Sequence, residues 1–154
     1  MEPPEGTEVY AWTYEHVRQF ILELNLLVVH LMPVCSKTSC PTMKADTCLY
    51  LCASHASPQE CPAIDYMTHT LDQSTGILHN KKYFESRINI PAVCLKHFSN
   101  IVRRLYRLFA HGYYHHREVY REFERQSYLC ARFTAFARRF ELMPAKFFNI
   151  PESY

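Results

Sequence analysis

A chain of 154 residues, nearly half of them apolar and including eleven Tyr and ten Phe, is long enough for one domain that buries roughly 70% of its unfolded surface without disulfide staples. Its formal net charge of +2 is too small to argue for nucleic acid, and its seven cysteines follow an acidic start, MEPPEGTE, that lacks an apolar leader core, which predicts a reduced, intracellular and cytoplasmic protein. The longest apolar run, Phe20 to Val34, carries Glu23, Asn25 and His30 and is shorter than the ~20 residues of a membrane span, so no transmembrane segment is expected.

In chain order, residues 1–13 hold Pro3, Pro4 and Gly6 and read as an extended arm, ordered only where it docks. Val17, Phe20, Ile21, Leu24, Leu27, Val28 and Leu31 recur at i+3 and i+4, predicting a buried helix from about Tyr14 to Met32 that Pro33 stops. A connector, CSKTSCP, follows, and TCLYLCA (Thr47 to Ala53) reads as a short strand or buried turn. Ser57-Pro58-Gln59-Glu60 has the form of a helix start and predicts a second helix to about Gln73, ended by Gly76. Lys81 to Ile90 has no period and reads as a loop.

The central element is FSNIVRRLYRLFAHGYYHHREVYREF, Phe98 to Phe123. On a helical wheel Cys94, Phe98, Ile101, Leu105, Leu108, Gly112, Val119 and Phe123 form one apolar stripe. A last helix is expected from about Ser127 to Glu141, where Leu129, Cys130, Phe133, Phe136, Ala137 and Phe140 share a face, with Pro144 closing it. Residues 144–154 form a tail whose aromatics suit packing back on the bundle. The fold class is therefore mainly α, a helical domain over 14–143 with at most a short β element.

Two patterns carry chemistry. Cys35 and Cys40 form C-x4-C, and His111 and His116 form H-x4-H, spacings by which thiolate and imidazole pairs close a tetrahedral zinc site. Helical geometry complicates the second pair. His111 and His115 share a face at i, i+4, whereas His111 and His116 lie about 140° apart on a regular helix, so pairing 111 with 116 demands a break near Gly112. Cys48, Cys52, Cys61, Cys94 and Cys130 read as buried thiols. With two Cys and two His as ligands no coordination position stays open for water, so the zinc would be structural.

The other pattern is cationic. Ser86 to Arg117 contains six Lys or Arg and no acid; within it Arg103 and Arg107 are i, i+4 and Arg104 and Arg107 i, i+3, so three guanidiniums can converge on one anion such as a phosphate. A solvated helix face is the alternative. From Arg117 to Arg125, REVYREFER interleaves both signs and reads as solvated surface. Gly-rich phosphate loops, HExxH and G-x-S-x-G are all missing, and no enzyme activity is expected.

The blocks EPPEG, YEHVRQFILELN, LCASHASPQECPAIDYMTHTLD, KYFESR, RRLYRLFAHGYYHHR and LCARFTAF closely resemble the Mob/phocein family, over residues 2 to about 143. The resemblance implies a zinc-stabilised helical bundle, with Cys35, Cys40, His111 and His116 as the ligands and Arg103, Arg104 and Arg107 as the phosphopeptide-binding positions. It also implies a non-catalytic adaptor, monomeric outside its complex, that binds phosphorylated segments of protein kinases and links them to a striatin-type phosphatase and kinase assembly. That branch carries a longer N-terminal region and an acidic C-terminal tail not found in these residues. Coactivation of nuclear Dbf2-related kinases is the alternative, weakened because Gln19 stands where that branch has an acid. A zinc hydrolase is a third reading; it would need an open zinc position and a carboxylate base.

Overall fold

A computed structural model describes residues 2–151. It contains α1 (Val9–Leu31), β1 (Met43–Ala45), β2 (Cys48–Tyr50), α2 (Ala63–His79), α3 (Leu95–His115), α4 (Arg117–Ser127) and α5 (Leu129–Arg139), with 3-10 turns at Ala92–Cys94 and Ala145–Phe147. The fold is thus mainly helical, and its small sheet is one antiparallel hairpin pairing Met43 with Tyr50. No helix among the described residues is long and apolar enough to cross a membrane.

α1 begins at Val9, earlier than its apolar stripe suggests, because the Glu8 carboxylate accepts the amides of Tyr10 and Ala11 at 3.0 and 2.8 Å and so caps the helix dipole. All seven stripe residues from Val17 to Leu31 are buried, while Leu22, Leu26, Val29 and Met32 face outward. The extended arm is correspondingly short. It docks through Glu2, which accepts hydrogen bonds from Arg139 on α5.

α2 departs from the sequence reading at both ends. Its first residue is Ala63, not one beside Ser57, because Gln59 is held in a bridge to Cys52, exchanging backbone bonds of 2.7 and 3.2 Å. It also runs through Gly76 to His79. Nothing lies within 4 Å of a Cβ at Gly76, so the glycine costs only its conformational freedom, ~1 kcal/mol. Burial of Leu78 and a 2.6 Å bond from the Tyr14 hydroxyl to the Leu78 carbonyl secure the last turn.

The expected single central helix is two helices. α3 stays regular to His115, and the amide of His116 still donates to the Gly112 carbonyl at 3.0 Å. His116 then takes φ −140° and ψ 54°, and α4 starts with the next residue. The break moves the buried phase from Val119 and Phe123, which are only partly covered, to Tyr120 and Glu124. Gly112 is not the hinge; a Cβ there would lie 3.3 Å from the Tyr120 ring, so its lack of a side chain lets α4 fold close against α3.

Tyr128, in the left-handed conformation at φ 53°, turns α4 into α5. Buried Glu124 spans this corner, its carboxylate accepting the amides of Cys130 at 2.7 Å and Ala131 at 3.0 Å. Glu124→Ala is expected to destabilise the protein by ~1 to 3 kcal/mol, since it removes a cap and leaves two amides without acceptors. Urea titration followed by circular dichroism measures this; an unchanged midpoint would show that water replaces the carboxylate. Past α5, the amide of Ile150 donates to the Tyr106 hydroxyl at 3.0 Å. Tyr154 of the tail lies outside the described residues.

Candidate metal centre and arginine face

Cys35 and Cys40 sit on the turn that leaves α1. The amide of Cys35 donates to the Leu31 carbonyl at 2.8 Å and that of Cys40 to the Ser36 carbonyl at 2.9 Å. Inside the turn Ser36 and Ser39 exchange amide-to-hydroxyl bonds of 2.8 and 3.0 Å, and the Ser39 hydroxyl donates to the Val34 carbonyl. The polar residues of CSKTSCP thus satisfy their own backbone and hold two thiols inward.

His111 and His116 approach from the end of α3. Cys35 Sγ lies 3.4 Å from His111 Nε2, and Cys40 Sγ lies 3.4 Å from His116 Nε2. All four donor atoms fall within 4.8 Å of one another. The non-helical backbone of His116 makes this possible, since it swings that ring to within 5.1 Å of the His111 ring. His115 stacks on His111 at 5.0 Å but is exposed and outside the quartet.

The donor set fits a metal ion. An S···N edge around tetrahedral zinc is about 3.5 Å, from Zn–S and Zn–N bonds of roughly 2.3 and 2.0 Å, close to both observed contacts. His111 Nδ1 donates to the Lys44 carbonyl of β1 at 2.6 Å, which leaves Nε2 unprotonated and aimed at the thiols. Burial pushes the His111 imidazole down to about 4 and lowers His116, so both are neutral near pH 7. Burial, with the charge of Cys40 added, pushes the Cys35 thiol up to about 12; a cation among these atoms reverses that preference and makes thiolates the stable form.

Arg103, Arg104 and Arg107 project from the middle of α3, and no carboxylate among the described residues forms an ion pair with any of them. Arg107 donates to the Tyr66 hydroxyl at 2.8 Å and lies over the Tyr50 ring at 4.3 Å. Arg104 donates to Gln73 of α2 at 3.1 Å. Arg103 is exposed. Arg103 and Arg107 together line a cavity of about 110 Å³ with Tyr50, Tyr106 and Asn149, far below the ~300 to 1,000 Å³ of small-molecule sites. Arg104 does not line it.

The five remaining cysteines are not uniformly buried thiols. Cys94 and Cys130 are buried, with the Cys94 thiol donating to the Tyr83 carbonyl, but Cys48 is exposed. Cys52 and Cys61 meet His55 and His69 in a second quartet whose donor atoms also lie within 4.8 Å of one another. Pairing cysteines only with cysteines hid it. The spacing C-x2-H-x5-C-x7-H is the signal that finds it.

The family model described as Mob1/phocein family matches residues 1–151. "MOB kinase activator-like 4" of Drosophila melanogaster is 45% identical over 96% of this chain and 67% of its own length. "MOB-like protein phocein" of Caenorhabditis elegans is 41% identical over 98% of this chain and 68% of its own. "Maintenance of ploidy protein mob1" of Schizosaccharomyces pombe is 31% identical over 93% and 72%.

Proposed function

This chain belongs to the Mob1/phocein family, and from that membership we propose that it is a non-catalytic adaptor that binds phosphorylated segments of protein kinases and joins them to a striatin-type scaffold. The observation that carries the reading is the arginine face: guanidiniums on one helix, without carboxylate partners, beside a cavity too small for a cofactor. A phosphoryl group carries about −1.5 to −2 charges near pH 7 and three acceptor oxygens, which Arg forks match in geometry and sign. The names of the relatives, kinase activator and phocein, support a kinase-associated role.

In this reading Cys35, Cys40, His111 and His116 hold one structural zinc. The ion would tie the α1 turn and the β1 carbonyl of Lys44 to the end of α3, fixing the helix that presents the arginines. Four protein donors complete a tetrahedral set, which speaks against a hydrolase that needs an open position. Coactivation of nuclear Dbf2-related kinases is the weaker alternative, for Gln19 is an exposed uncharged residue on α1.

Calorimetric titration of the whole chain with phosphothreonine peptides from protein kinases tests the proposal. At least about tenfold tighter binding of phosphorylated than unphosphorylated peptide is expected, from charge-assisted bonds of roughly 1.5 to 3 kcal/mol each, with competition by inorganic phosphate. Equal affinities would overturn it.

A further inference from the structure

We infer that Cys52, His55, Cys61 and His69 hold a second zinc ion, separate from the quartet at the end of α3. Cys52 leaves the hairpin, His55 and Cys61 lie in the segment that follows it, and His69 is in the second turn of α2. His55 Nε2 stands 3.1 Å from Cys61 Sγ, while His69 Nδ1 stands 3.5 Å from Cys52 Sγ and 3.9 Å from Cys61 Sγ. These distances bracket the S···N edge of about 3.5 Å around tetrahedral zinc. The two imidazole rings meet edge to face at 5.2 Å, so their nitrogens reach the thiols from different directions.

The segment needs such a tie. Between β2 and α2 its regular backbone pairing is the bridge between Cys52 and Gln59, and Ala53, Ser54, Ala56, Ser57, Pro58, Gln59 and Glu60 are all exposed. Cys52 and Cys61 are buried and His55 half-buried, so the side chains that turn inward are the donors themselves. Without apolar side chains of its own to bury, the loop gains from a metal the kind of staple that small scaffolds use. Small apolar residues would fill this space as well as thiols and imidazoles do; only a cation uses all four.

The donor chemistry selects the ion. Two sulfurs and two imidazole nitrogens, with no carboxylate in the set, suit zinc and not calcium or magnesium. On binding, each thiol loses a proton to solvent, two Zn–S bonds form, and the two thiolates cancel the charge of Zn²⁺. The site is neutral and its coordination closed, which makes it structural. A disulfide between Cys52 and Cys61 is the rival; it would require an oxidant and leave both imidazoles facing sulfur with nothing to bind. The two quartets adjoin, since the amide of Ala63 donates to the Cys40 carbonyl at 3.0 Å.

Native mass spectrometry and elemental analysis of the whole chain, purified under reducing conditions with zinc present and then desalted, test the assignment. Two zinc ions per chain are expected in the wild type and one in His69→Ala and in Cys61→Ser. Refolding with Co²⁺ should give the visible bands of tetrahedral thiolate and imidazole coordination, rising to two equivalents in the wild type. One ion in the wild type, two retained by His69→Ala, or a Cys52 to Cys61 crosslink in the reduced preparation would each overturn the proposal. Should both variants fail to fold, the wild-type stoichiometry decides alone: two supports the site and one refutes it.

Discussion

Serine in place of Cys35 is expected to leave the chain without a stable native state. The thiol is 1% exposed and sits where the α1 turn, β1 and the end of α3 converge, so its loss removes a ligand and breaks the tie among three elements. Structural zinc contributes ~10 to 16 kcal/mol in small finger peptides, against a total stability of ~5 to 15 kcal/mol for a domain. A hydroxyl does not ionise near neutrality and does not replace a thiolate. His115→Ala is the control: its ring stacks on His111 but supplies no donor to the quartet, so its melting temperature should drop by only a few degrees. Acid should act in the same direction as Cys35→Ser. The His111 imidazole is pushed down to about 4 by burial from an unfolded value of ~6.5, so the folded state binds fewer protons than the unfolded one between those values. Its stability is then present above ~6.5 and lost as pH falls toward 4, and metal release steepens the loss because every ligand must be unprotonated. Thermal melts by circular dichroism, with elemental analysis across pH 4 to 7 on the order of half-unit steps, measure both effects. Well-folded Cys35→Ser protein with a wild-type melting temperature would sink the idea of a metal that holds the fold.

Much of this was legible before any coordinates. The stripe from Val17 to Leu31 is buried as its period requires, because burying a continuous apolar face dominates helix placement. Boundaries were less legible, since distant groups set them. α1 starts early through the Glu8 cap, and α2 starts late because the bridge between Cys52 and Gln59 claims the residues that resemble a helix start. The turn chemistry at Ser57 is local, whereas the bridge is not. The break after His115 brings His116 beside His111, whereas wheel geometry pointed only to a break near Gly112. The glycine serves close packing on Tyr120, and the histidine itself bears the irregular backbone. Likewise the Cys52 group escaped notice because its donors come from a loop and a helix in mixed order, with no repeat of the C-x4-C form. The arginines were visible as a run, but their division was not: Arg103 and Arg107 flank the cavity while Arg104 turns to α2.

That division sets the order of effects expected on phosphopeptide binding. Arg107→Ala should weaken a phosphorylated peptide most, by well over about tenfold, since each bond to a charged acceptor contributes roughly 1.5 to 3 kcal/mol and a bidentate fork supplies two. Its guanidinium is already held by Tyr66 and by the Tyr50 ring, so little freedom is lost when the phosphate arrives. Arg103→Ala should follow, because this exposed side chain lines the same cavity but must be ordered on binding. Arg104→Ala should also cost about tenfold if the phosphate draws its guanidinium away from Gln73, and markedly less if it stays there. Arg107→Lys distinguishes charge from shape: a lysine keeps the charge but loses the fork, so intermediate affinity is expected. Losing the stacked cation should lower stability by only ~0.5 to 2 kcal/mol, which leaves each single variant folded and the comparison sound. Affinity should fall with salt, since part of the face is exposed to screening. The measurement is calorimetric titration of one phosphothreonine peptide and its unphosphorylated twin against the wild type, the single variants and the triple Ala variant. Unchanged phosphopeptide affinity in the triple variant would make the cluster a solvated face, and the adaptor role would then have to reside on another surface.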